Sequence, residues 1–306
     1  MNSLWNDQEA QGYGGDLGLR VYTSRLLGRD KSLVLHGGGN TSVKIVEKNS
    51  FGEDEELLYV KGSGWDLEKI EEAGLSPVRL NYLRRLAQLP SLPDPQMVNE
   101  MVTNMTRASA PTPSVEAILH AILPYKYVDH THADAVVTLT NTPGGEARIR
   151  ELYGDRLLVV PYVMPGFVLA KKVAQMTEGV DWTTLQGMVL MNHGIFSFAD
   201  DARESYTRMI DLVTEAEQAL GVAPSPATGQ SSASALELAT IRYEVSRAAN
   251  RSMLAAFSGS PQSHCFSKRD DVASIATRGP LTPDHVIRTK RVPLIVNDDP
   301  AGAVAK

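Results

Sequence analysis

Three histidines carry the first chemical signal in this chain. His130 and His132 flank Thr131, and His193 follows well downstream between Asn192 and Gly194. Residues two apart on a strand point to one face, so His130 and His132 can grip one ion while Thr131 points away. A third imidazole from the Asn192-His193-Gly194 segment would complete a three-histidine site with an open coordination position. That is the layout of a catalytic metal rather than a structural one. A His-x-His pair alone is weak ground, because histidines also serve as hydrogen-bonded core or surface groups. The chain holds only seven histidines, so three in this arrangement are hard to assign to scatter.

Glycine-rich turns supply the second signal. Gly37-Gly38-Gly39-Asn40 and Gly62-Ser63-Gly64 each follow an apolar run. Successive backbone N–H groups in such turns form a nest that holds an anion. Pro111-Thr112-Pro113-Ser114 is expected to open a helix, with Thr112 as cap and Pro113 at the first helical position. Ser114 then marks a third anion site, since the first N–H groups of a helix lack internal partners. Each turn taken singly is most simply a hairpin. No Walker loop is present, and no Gly-x-Gly-x-x-Gly opens a helix after a strand, so a nucleotide site is unsupported.

Glu116 would lie one turn into the helix opened at Pro113, with His120 four residues on along the same face. An arbitrary glutamate there complements the helix dipole. Beside a metal and an anion nest it becomes a candidate general acid/base. His120 reads as a packing residue rather than a rival ligand.

The elements that must position these groups follow from periodicity. Leu17 to Leu27 reads as a helix. Strands are expected at Ser32 to His36, Val43 to Val46 and Leu57 to Lys61, with glycine turns between them that suggest antiparallel hairpins. Val115 to Leu123 continues the helix opened at Pro113. Tyr127 to His132 and Arg156 to Tyr162 read as strands, and Gly166 to Met176 as a helix. Gly187 to Phe198 looks like two strands meeting at His193-Gly194. Asp201 to Leu220 is a long helix with Tyr206, Met209, Ile210 and Val213 at core-facing spacing. Val222 to Ser232 is small and polar, a linker by composition. A helix is expected from about Ala233 to Phe257, then a segment of little periodicity and a loose tail from Asn297 to Lys306. The division is therefore 1–221, a linker at 222–232, and a helical extension at 233–306.

Bulk properties narrow the classes. The net charge of -6 argues against nucleic acid as a main partner. One cysteine, Cys265, excludes an intramolecular disulfide and fits a reducing compartment. The N-terminus has no basic and apolar run of a secretory leader, and no apolar stretch approaches the ~18 residues of a membrane helix. A cytoplasmic location and no membrane partner are expected.

Taken in order, Gly39-Asn40-Thr41-Ser42, Gly62-Ser63-Gly64, Pro113-Ser114-Val115-Glu116, His130-x-His132 and Asn192-His193-Gly194 resemble the class II aldolase/adducin family. The resemblance runs from Leu17 to Leu220. Ser32 to Lys44, Tyr59 to Leu67 and Asp129 to Asp134 are similar in more detail to the aldolase halves of bifunctional rhamnulose-1-phosphate aldolase/alcohol dehydrogenases. The resemblance implies a three-layer α/β/α fold with a central, mostly antiparallel sheet, and a homo-oligomer, a tetramer in the family pattern. It implies a divalent metal, zinc by expectation, on His130, His132 and His193. It makes Glu116 the acid/base and gives the substrate phosphate to Gly39, Asn40, Ser63, Gly64 and Ser114. The implied reaction is cleavage of a ketose 1-phosphate, of the rhamnulose or fuculose type, to dihydroxyacetone phosphate and a small aldehyde such as lactaldehyde. Tyr162 matches a segment where the family often places an assisting tyrosine, and it is left unassigned. Val115 departs from the family pattern, in which a second serine often precedes the glutamate. An epimerase or decarboxylase of a related sugar phosphate or sugar acid would use the same parts. A non-catalytic adducin-like module is the third reading, and the retained histidines and Glu116 weigh against it.

Overall fold

The structure, a computed structural model, describes residues 1–221, 233–296 and 299–304. The chain divides into two compact units: Met1–Gly221 together with Leu281–Arg288, and Val222–Pro280 together with Thr289–Lys306. The expected linker at 222–232 lies outside the described residues.

The first unit is built on a seven-stranded sheet. Its strands are β1 (Asn40–Lys48), β2 (Asp54–Lys61), β3 (Leu75–Arg79), β4 (Tyr127–Thr131), β5 (Leu157–Val160), β6 (Gly187–Leu190) and β7 (Gly194–Ala199). Their spatial order is β3-β2-β1-β4-β7-β6-β5. Every neighbouring pair is antiparallel except β5 and β6. β4 is the middle strand.

Alternation along the strands sorts side chains to two faces. Leu57, Tyr59, Tyr127, Val189 and Ile195 join one apolar cluster, while Leu58, Val60, Val128, Met188, Leu190, Phe196 and Phe198 join another. Helices cover both. On the first face lie α1 (Gly15–Arg29), α5 (Asp134–Thr140), α6 (Gly145–Tyr153) and α8 (Ala202–Leu220). On the second lie α2 (Leu80–Leu86), α3 (Asp94–Thr103), α4 (Ala117–Ile122) and α7 (Phe167–Met176). This is a three-layer α/β/α fold on a mostly antiparallel sheet, as the sequence implied.

Local expectations are corrected in four places. Ser32 to His36 is not a strand. Asp30 accepts from the backbone and hydroxyl of Ser32, and its carbonyl takes Leu33 N–H, which tightens the backbone into a turn. The helix expected from Pro113 begins only at Ala117. Ser114 N–H is bonded to Lys61 O at 3.0 Å, and Pro113 bridges Gly62, so residues 112–114 run beside the end of β2. Glu116 is therefore the cap residue of α4 rather than a residue one turn inside it. The strand expected to Tyr162 stops at Val160, just before Pro161.

In the second unit, the helix expected over Ala233 to Phe257 is Ala235–Ala248. It opens with a Ser234/Glu237 capping box. It ends where Asn250 takes a positive φ of 49°, a usual helix terminator. Short helices follow at Pro261–Ser267 and Val272–Ala276, and Pro300–Val304 lies in the expected tail.

One buried ion pair locks the middle of the sheet. Arg20 of α1 and Asp129 of β4 are both fully buried and paired. Ser205 of α8 donates its hydroxyl to the other oxygen of Asp129. Removing one partner of a buried pair leaves an uncompensated charge, which costs about 3–5 kcal/mol. Arg20→Met should lower the unfolding free energy by that amount in urea titration. A loss under about 1 kcal/mol would show that Asp129 is held by its other partners alone.

Candidate metal centre and active site

The end of β4 and the β6–β7 turn bring the three histidines together. His130 is in β4, His132 lies just beyond its end, and His193 sits in the turn between β6 and β7. Thr131 points to the opposite face, against Met209. One nitrogen from each imidazole lies within 4.8 Å of the others, and all three side chains are buried. The turn carrying His193 is fixed by Asn192, which has φ 58° and donates to Thr140 O at 3.1 Å and to Asn141.

The donor chemistry fits a divalent ion. His130 Nδ1 lies 3.0 Å from Ile195 O, so it carries the proton and donates, leaving the Nε2 lone pair exposed to the cluster. His130 Nε2 and His132 Nε2 are 3.1 Å apart. Two nitrogens at tetrahedral positions around zinc would be about 3.4 Å apart. Burial pushes the His130 imidazole well below its ordinary range, and His132 and His193 push the same way. Burial also lowers His193, against the pull of Glu116. These two are therefore neutral at physiological pH, the form in which imidazole binds metal. Two polar atoms around the cluster, Glu116 Oε1 and His193 Nδ1, are buried without a hydrogen-bond partner in the structure. Such atoms are costly unless something not made of protein satisfies them.

Glu116 faces the histidines from the cap of α4. Its Oε2 lies 3.5 Å from His130 Nε2, and its Oε1 lies 3.8 Å from His193 Nε2. Asn40 Nδ2 donates to Oε2 at 2.6 Å. Asn40 is held in turn by His120, whose Nε2 reaches Asn40 Oδ1 and whose Nδ1 lies 2.8 Å from Ser42 Oγ. His120 is thus no metal ligand. It fixes the amide that orients Glu116. The Asn40 amide, expected on a phosphate, is engaged by Glu116 and His120.

The remaining residues expected at a phosphate form a second group. Gly39, at φ 59°, precedes β1, where an added Cβ would come within 2.8 Å of His130 O. Ser63 and Gly64 are exposed just past β2, and Ser63 N–H bonds Thr112 O at 2.7 Å. Ser114 Oγ accepts from Glu116 N–H at 3.3 Å. Ser63, Gly64 and Ser114 therefore share one rim, and Ser114 joins it to Glu116. The helix-start N–H groups expected at Ser114 are displaced to α4 proper. Tyr162 is exposed, and its hydroxyl contacts Met164.

Sequence reading passes over two charged groups. Lys61 is buried at the end of β2, and its Nζ donates to Gly37 O at 2.7 Å, tying the two glycine turns together. A lysine directly before Gly-Ser-Gly was a usable sign. Asp284 reaches the Nδ1 of His132 from far along the chain. No local pattern announces it.

The model of the class II aldolase and adducin N-terminal domain matches residues 19–220, and that of the aldolase class II second domain matches residues 232–306. The N-terminal class II aldolase domain of a conserved protein from Thermoplasma acidophilum is 39% identical, with a TM-score of 0.65 over 72% of this chain and 99% of that one. An uncharacterized oxidoreductase, YuxG of Bacillus subtilis (strain 168), is 32% identical over 97% of this chain. The chain spans 44% of that relative's length. Among the described residues, no helix is long and apolar enough to cross a membrane.

Two measurements test the centre. Purified protein should hold close to one divalent ion per chain by elemental analysis. Alanine at His130, His132 or His193 should each abolish this, because two imidazoles hold an ion weakly. Full metal content in any one variant removes that histidine from the ligand set.

The second concerns pH. Burial holds the His120 pKa at about 3, against 6.5 for a free imidazole. The unfolded chain takes up a proton at this residue below about pH 6.5 and the folded chain does not. Its contribution to stability is complete above pH 6.5 and is lost as pH falls toward 3. In metal-free protein, stability should decline from pH 6.5 to 5, and His120→Gln should shrink that slope by one proton's share, ~1.4 kcal/mol per pH unit. An unchanged slope would assign the dependence to other groups.

Proposed function

The chain belongs to the class II aldolase and adducin family, and from its site we propose that it is a metal-dependent aldolase acting on a ketose 1-phosphate. The products would be dihydroxyacetone phosphate and a small aldehyde such as lactaldehyde, from a substrate of the rhamnulose or fuculose type. The observation that carries this reading is Glu116. A buried carboxylate stands over three convergent imidazoles with one oxygen held and the other without a partner.

His130, His132 and His193 would hold the ion, and zinc suits three imidazoles and an open position. Bound there, the ion supplies a Lewis acid for a ketose carbonyl and for negative charge developing beside it. Glu116 moves the proton. It delivers one to the carbon that loses its bond to the aldehyde half, and removes one from that carbon in the condensation direction. Asn40, fixed by His120, keeps Glu116 Oε2 as an acceptor, so Oε1 is the atom that carries the proton. The rim of Gly39, Ser63, Gly64 and Ser114 would take the phosphate through the backbone N–H groups of the two glycines and the hydroxyls of the two serines, whose own N–H groups are bonded to Thr112 O and Lys61 O. Lys61 adds positive charge behind that rim. Phosphate binding would supply energy for positioning the reacting carbons.

The relative named an oxidoreductase, spanned over under half of its length, supports placing this chain with the aldolase portions of bifunctional aldolase/dehydrogenases. We also propose an oligomer in solution, as in the family pattern.

Glu116→Gln should keep metal and fold but lose about 10²–10⁴-fold in turnover. Solvent deuterium exchange into dihydroxyacetone phosphate isolates this proton step from aldehyde binding. Normal exchange in the variant would give the proton to another group. Product analysis against a panel of ketose 1-phosphates, with inorganic phosphate as competitor, tests the substrate class. Equal turnover of a free ketose and its 1-phosphate, without inhibition by phosphate, would move the assignment to a sugar acid and an epimerase or decarboxylase reaction.

A further inference from the structure

Asp284 is the residue that the proposed chemistry does not use and the site does not explain. It lies in Pro283–Arg288, a short helical turn that clusters with the first unit although the chain reaches it only after the long excursion from 222 to 280. Its carboxylate is 2% exposed. Oδ1 accepts from His132 Nδ1, and Oδ2 accepts from Leu35 N–H at 2.7 Å. Gly38 makes room for it: a Cβ on that glycine would fall 1.6 Å from Asp284 Oδ1. The segment is docked next to the site by Leu281 O, which accepts from Asn141 Nδ2 at 3.3 Å. Asn141 is also the partner of Asn192, in the turn that carries His193.

We propose that Asp284 is a positioning residue for the metal centre, holding His132 in the tautomer that points its Nε2 lone pair at the ion while it fixes the Leu35–Gly38 turn beside the anion rim. A carboxylate on the remote N–H of a ligating imidazole sets the ring's orientation and strengthens the opposite nitrogen as a donor. His130 gets the same service from a neutral carbonyl, Ile195 O. His132 lies past the end of β4, beyond the last β4–β7 pair at Thr131 and Ile195. Its partner comes from Leu281–Arg288, a segment of the first unit that is distant in sequence. The match to the N-terminal family domain ends at residue 220, so this site is completed from outside that domain.

The inference rests on the three-histidine metal reading, and its test separates the two. Cobalt(II) serves as the probe, with affinity measured by chelator competition and geometry by visible absorption. Asp284→Ala and Asp284→Asn in the full chain should bind cobalt 10–100-fold more weakly than wild type and show an altered ligand-field spectrum. Long-range ¹⁵N–¹H spectra of the metal-free protein should show His132 as the Nδ1–H tautomer in wild type and as a mixture in Asp284→Ala. Gly38→Ala, which displaces the carboxylate without removing it, should weaken cobalt binding similarly and add little to Asp284→Ala in the double variant, because both act through one contact. A variant at Asp284 that melts earlier yet keeps wild-type cobalt affinity and spectrum would reduce Asp284 to a clamp on the Leu35–Gly38 turn and overturn the proposal. Full additivity of the two substitutions would overturn it as well. Wild-type protein that takes up no cobalt would remove the metal reading and this one with it.

Discussion

His130 sits at the end of the middle strand with its side chain wholly out of water, and the rest of the site answers to that. A buried imidazole resists protonation because the interior solvates charge poorly. Neutral, it has one N–H that must be donated and one lone pair that must be used. The N–H goes to Ile195 O of the adjacent strand β7. The lone pair points away from the sheet toward His132, His193 and Glu116. A cation at the common point resolves all of these demands together. The same burial keeps His130 and His193 in the neutral form that binds a metal.

The middle strand does two jobs on two faces. Asp129, one residue earlier, points to the α1 side and is neutralised by Arg20. His130 points to the other side and stacks on Phe196 at 4.1 Å between ring centroids. Alternation keeps the carboxylate of Asp129 away from the imidazoles, although only one peptide separates them in sequence. The ion pair therefore serves the site indirectly. It holds β4 in register against α1 and α8 without adding a charge to the metal face.

What was legible in the sequence was whatever is encoded over short distances. The convergence of His130 and His132 was readable because side-chain alternation is a local rule. The long helix at Ala202–Leu220 reads correctly because its apolar residues recur at helical spacing over many turns. The three-layer fold followed from the ordered motifs rather than from any one of them. The errors share a cause. Ser32 to His36 looks like a strand by composition, but Asp30 captures its first N–H groups and Asp284 captures a later one. Pro113 looks like a helix start, but the end of β2 takes the backbone of Ser114 first. In both cases a tertiary hydrogen bond overrides the local preference, and nothing nearby in sequence signals it. Asp284 was invisible for the same reason, since its partners lie on distant segments.

The polar groups behind Glu116 form a directed chain, and direction is what gives it chemical meaning. Asn40 Nδ2 can only donate, so Glu116 Oε2 must accept. Asn40 Oδ1 can only accept, so His120 must present its Nε2–H. His120 Nδ1 is then bare and takes the hydroxyl proton of Ser42. A protonated His120 would break this order, and burial prevents it. Both oxygens face the histidines, and with Oε2 taken by the Asn40 amide, Oε1, which has no hydrogen-bond partner and lies 3.8 Å from His193 Nε2, is left as the oxygen to carry a proton. A chain of three hydrogen bonds thus converts a symmetric carboxylate into an asymmetric one, with a fixed oxygen and a working oxygen, before any substrate arrives.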